Sequence, residues 1–73
     1  GINLSEYKFS LVYYLSVGDQ NCSEPGFLKL YDPEEKILPH QGMIITFPAN
    51  RYHSVIYDGN SIREAIVVNY YAI

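Results

Sequence analysis

The chain has one cysteine, Cys22, and no tryptophan among its 73 residues. A lone thiol excludes an internal disulfide and any multi-thiolate metal site, which suits a reducing compartment. No apolar run approaches the ~18 residues of a membrane span, and no signal-peptide pattern opens the chain. Clustered Lys and Arg are lacking as well. The five basic residues are scattered and the net charge is −3, which argues against nucleic acid as a partner. There is no Gly-rich phosphate loop, nucleophile elbow or Cys/His cluster. These absences leave a single-domain protein with neither membrane nor nucleic acid as its partner, and a cytoplasmic location is expected.

What the sequence holds instead is strand-forming side chains. Hydrophobic residues make up 48% of it, and eight Tyr with three Phe give an aromatic-rich chain. Tyr and Phe fit half-buried positions on a pleated surface. "YKFSLVYYLSV" (7–17) predicts a long, mostly buried strand, and "GDQNCSEPG" (18–26) a loop. "FLKLYD" (27–32) reads as a strand and "PEEK" (33–36) as a polar turn. In "ILPHQG" (37–42), Pro39 cannot donate to a ladder, so a short edge strand followed by a turn is expected. "MIITF" (43–47), "HSVIY" (53–57) and "IREAIVVNYYAI" (62–73) complete six strands. Asp58-Gly59-Asn60 predicts a hairpin between the last two. No helix is predicted. The expected architecture is all-β, with strands in antiparallel meander order in a sandwich or barrel.

Three residues stand out as candidates for a site. His53 follows the turn at Pro48-Ala49-Asn50. It is either a histidine bonded to a neighbour or a metal ligand, since neutral imidazole suits iron, zinc or copper. Arg63 lies beside an apolar run. It either faces solvent or points inward, where an unpaired charge is costly and a carboxylate partner is expected. A planar guanidinium can hold such a carboxylate by two parallel bonds. Tyr14 reads first as core, and because Tyr13 and Tyr14 point to opposite faces, only one of them looks inward. His40 reads as exposed, and Glu34-Glu35 as a solvated turn.

Taken in order, "FSLVYYLS", "PGFLKLYDP" and "LPHQGMIITFPANRYHSVIYDGNSIREAIVVNYY" resemble the C-terminal half of the iron(II)/2-oxoglutarate-dependent dioxygenases. The prolyl-hydroxylase-like branch is the nearest likeness. Pro39 to Gly42, Phe47, His53 and Arg63 fall in that family's order and spacing. The resemblance implies a double-stranded β-helix (jelly roll, cupin-like), present over residues 1–73 as an incomplete barrel. It implies Fe(II) and 2-oxoglutarate as cofactors of the parent reaction, in which decarboxylation of 2-oxoglutarate drives hydroxylation. It further implies His53 as the distal iron ligand and Arg63 as the clamp on the far carboxylate of 2-oxoglutarate. Tyr14 falls where the family places a Tyr hydroxyl near that carboxylate.

The family's other two iron ligands come from a His-x-Asp motif before the "YYL" strand, and no such motif occurs in these residues. The expectation is therefore a fragment or a degenerate member, inactive alone, completed by an N-terminal half or by homo-oligomerisation. A second resemblance is to the cupins, whose second motif Gly42, Pro48 and His53 fit. Asn50 and Tyr57 depart from that motif, and it leaves Arg63 and "NYY" without a role. The cupin alternative is a small oligomeric β-domain without a catalytic metal.

Overall fold

The computed structural model describes residues 1–73. Its organising element is β1 (Lys8–Ser16), where an unbroken series of aromatic and aliphatic residues favours extended backbone. Period-two alternation sends Ser10, Val12 and Tyr14 to one face and Phe9, Leu11 and Tyr13 to the other. A single 3-10 turn, Leu4–Tyr7, precedes it, capped by the Asn3 side chain. The remaining strands are β2 (Pro25–Leu30), β3 (Glu35–Ile37), β4 (Ile44–Pro48), β5 (His53–Tyr57) and β6 (Glu64–Tyr71). No helix is long and apolar enough to cross a membrane.

The strands form two three-stranded antiparallel sheets, ordered β4-β1-β6 and β3-β2-β5. This corrects the expected meander. Only β2 and β3 are consecutive strands that pair, and the chain otherwise passes from one sheet to the other. The expected hairpin at Asp58-Gly59-Asn60 is likewise a crossover: β5 pairs with β2, and β6 with β1. Asp58 anchors this corner by accepting from Ser23 Oγ at 2.7 Å and Glu24 N at 3.0 Å. Neither the hairpin nor the primed turn expected of Asp-Gly forms: Gly59 does not take a positive φ, the chain only bends at Asn60-Ser61, and the two arms lie in different sheets. Smaller differences concern boundaries. β2 starts two residues earlier than expected, at Pro25, and ends at Leu30 because Asp32 adopts a φ of 61°. β3 takes in Glu35 and Lys36, which were expected to form a turn.

Leu28, Leu30 and Phe47 form the core between the sheets, with Val12, Ile37 and Ile45 against them. Only eight residues are buried. The radius of gyration is 13.7 Å, against about 11 Å for a compact chain of this length. The excess reflects an elongated shape, with principal extents of 48 × 24 × 14 Å. β5 and β6 are free edges, and Val55, Ile56, Ile66, Val67 and Val68 on them are exposed. The architecture is all-β and open.

Candidate functional site

A cleft of about 220 Å³ lies between the two sheets. Its floor is set by the inward faces of the two central strands. Tyr14 and Leu28 are each 2% exposed and Phe47 5%. Its mouth opens between the free edges, where Val55 and Val67 line it yet stay largely exposed. His53, Arg63 and Tyr14 all line this one cleft, so the structure brings the three sequence candidates together. His40 is exposed and lies outside it.

Arg63 immediately precedes β6. Its guanidinium lies against the backbone of β2, donating from Nη2 to the Gly26 carbonyl at 3.3 Å. Gly26 makes this approach possible. Its φ is +94°, and a Cβ there would sit 3.0 Å from Arg63 Nε. Two rings flank the cation, with Cζ 5.5 Å from the Tyr14 centroid and 5.8 Å from the Tyr57 centroid. Tyr57 is itself fixed, donating to the Ser61 carbonyl at 2.8 Å and accepting from Asp19 N at 2.9 Å.

The carboxylate partner expected for an inward Arg63 is not part of the chain. The only ion pair joins Arg51 to Glu35. Arg63 Nε is buried without a hydrogen-bond partner. A native structure rarely leaves a buried donor unmet, because the desolvation cost is then uncompensated. Burial pushes the Tyr14 phenol up from its usual value, and the charge of Arg63 draws it part of the way back. The hydroxyl therefore keeps its proton at neutral pH. Together the cation, the unmet N–H and the phenol suit a carboxylate ligand, whose oxygens only accept.

His53 begins β5, and its ring packs edge-on against Phe47 with centroids 4.9 Å apart. Nδ1 lies 2.9 Å from the Arg51 carbonyl. A carbonyl only accepts, so Nδ1 carries the proton and the neutral ring keeps Nε2 as its lone-pair donor. Metal-binding imidazoles are oriented in this way. The fit to iron fails at the next step, since no three His, Cys, Asp or Glu converge anywhere in the chain. A non-haem Fe(II) centre needs two imidazoles and a carboxylate. These residues supply one.

Ser10, which lines the cleft, and its exposed partner Asn69 outside it were not singled out from the sequence. Ser10 and Asn69 face each other across β1 and β6, and Ser10 Oγ donates to Asn69 Oδ1 at 2.8 Å. The available signal was a polar residue inside each of two apolar strands. Nothing local said that the two would meet.

Comparison with protein-family models, with curated proteins and with solved structures finds no match to this chain.

Proposed function

We propose that this chain is the carboxylate-gripping part of a 2-oxoglutarate oxygenase-type double-stranded β-helix. Arg63 and Tyr14 hold the far carboxylate of 2-oxoglutarate, and His53 is turned toward the place of a metal. The observation that carries the reading is the Arg63 guanidinium. It is half-buried, has no carboxylate of its own, and shares a cleft with His53. The strand order is further support, because alternate passage between two antiparallel sheets is how a jelly roll is wound. The order and spacing of Tyr14, His53 and Arg63 match the resemblance drawn from the sequence.

With one imidazole, these residues do not make an iron centre, and hydroxylation is not assigned to the chain by itself. Carboxylate binding is. Calorimetric titration in EDTA should show 2-oxoglutarate and glutarate binding alike, since both present the same distal carboxylate to Arg63. Adding Mn(II) should leave both affinities where they were. Failure of both acids to bind would overturn the carboxylate assignment. A large Mn(II)-dependent gain for 2-oxoglutarate alone would overturn the conclusion that one imidazole is all the chain offers a metal.

A further inference from the structure

The two sheets differ on the faces they turn away from the cleft. In the β3-β2-β5 sheet, Leu28, Leu30 and Val55 point inward, so alternation turns Lys29, Lys36 and Ser54 outward. Lys36 Nζ lies 4.0 Å from the Phe27 ring centroid, and Ser54 Oγ meets the Tyr31 hydroxyl at 2.8 Å. That face carries charge and suits water. The β4-β1-β6 sheet sends Val12, Tyr14, Phe47 and Val67 into the cleft, which leaves Phe9, Leu11 and Tyr13 on its outer face. In the register, Ile44 and Ile66 flank Tyr13, and Thr46 and Val68 flank Leu11. Phe9 lies between Pro48 and Tyr70 and stacks on the Tyr70 ring at 5.7 Å. None of these side chains is charged. Ile44, Ile66 and Val68 are 57%, 49% and 44% exposed.

A sheet that is apolar on both faces needs a packed layer on each. Three strands overlapping from Phe9 to Tyr13 make an outer face of about 14 by 16 Å. The chain exposes 5047 Å², whereas a folded monomer of its 8.4 kDa exposes about 4,600 Å². The difference, about 400 Å², is the size of a contact-forming apolar face. We infer that the outer face of the β4-β1-β6 sheet packs on the same face of a second copy. The product is a two-fold dimer with the sheets about 10 Å apart. A second copy fits because its face brings no charge into the contact, whereas a charged partner would bury that charge unpaired. Two such faces bury ~800 Å² together, which makes the dimer weak and reversible. The contact lies on the far side of the sheet from Arg63 and His53, so it stands apart from the carboxylate grip.

Sedimentation equilibrium of the full chain from ~10 µM to ~1 mM brackets the Kd of about 100 µM expected of so small a contact. The apparent mass should rise from 8.4 kDa to twice that value and stop there. Methyl chemical shifts of the wild type, followed over the same range, should move at Ile44, Ile66 and Val68 and stay in place at Ile56. Val68→Lys and Ile44→Lys each put a charge on the face at an exposed position, in two different strands. Each should weaken the dimer by about tenfold or more, the effect of one uncompensated charge. Ile56→Lys, on the outer face of the other sheet and 56% exposed, should leave it unchanged. A wild type that stays at 8.4 kDa up to ~1 mM overturns the inference, as does growth beyond two copies. So does a dimer that survives both charges on the face, or methyl shifts that move at Ile56 instead. The methyl shifts need no substitution and decide the matter even where a variant fails to fold.

Discussion

Replacing Arg63 by Met separates a ligand-holding cation from a structural strut. The substitution removes the Nη2 bond to the Gly26 carbonyl, which at 3.3 Å is long for its kind. Such a bond from a charged donor is worth about 1.5 kcal/mol at the low end of its range. Two cation–π contacts near their distance limit add about 0.5 kcal/mol each. Against these losses, the variant no longer buries an unmet Nε–H, a relief of about 1–3 kcal/mol. The Met stem also retains much of the packing. The terms nearly cancel, so Arg63→Met should melt within about 8 °C of the wild type, or ~1 kcal/mol for a chain of this size. Ligand response should differ sharply. At a hundred times its Kd, a carboxylate stabilises the wild type by about 2.7 kcal/mol, roughly 10–20 °C in Tm. The variant should gain nothing. Circular dichroism melts with and without glutarate, in EDTA, read both quantities. A variant destabilised by more than ~3 kcal/mol would make Arg63 a strut, and a variant that keeps the ligand shift would refute the grip.

Gly26→Ala should cost both stability and binding. The positive φ strains any side chain by about 1–3 kcal/mol, and the new Cβ would lie 3.0 Å from Arg63 Nε. Melting and titration together should therefore distinguish it from Arg63→Met, which loses only binding. Asp58 is held below its usual carboxylate value, chiefly by the Ser23 hydroxyl and then by Glu24 N. A depressed folded value adds stability above the unfolded value, and that stability is lost as pH falls through the folded one. Urea unfolding should show Asp58→Asn weaker than wild type at neutral pH, with the gap closing as pH falls below the ordinary carboxylate range. The Cys22 thiol is pushed up by burial and then by Asp58, so iodoacetamide should alkylate it more slowly than a free peptide thiol. Asp58→Asn should speed that reaction.

What the sequence disclosed was what local chemistry controls. β5 occupies His53–Tyr57 as read, because a β-branched and aromatic run between turn signals has few alternatives. Tyr14 and Tyr13 separate by face for the same short-range reason. Pairing was not legible, because it depends on residues far apart in the chain. Asp58-Gly59 signals the end of a strand, and says nothing of whether the next strand pairs with it or crosses to the other sheet. The Gly26–Arg63 contact spans 37 positions and the Ser10–Asn69 bond 59. Resemblance to a known pattern singled out Arg63, and only the fold supplied the glycine that lets it lie against β2. The missing carboxylate partner was equally illegible, since absence of a contact is a property of the whole chain.

The chain has two arginines, Arg51 and Arg63, and therefore two Nε–H signals in a nitrogen–proton correlation spectrum. Arg51 Nε already donates to the Tyr31 carbonyl at 3.2 Å, whereas Arg63 Nε has no partner. Titrating 2-oxoglutarate into the labelled chain in EDTA should move the Arg63 signal, identified by its loss in Arg63→Met, and leave the Arg51 signal in place. Movement of Arg51 alone, or of neither, would contradict a carboxylate grip in this cleft.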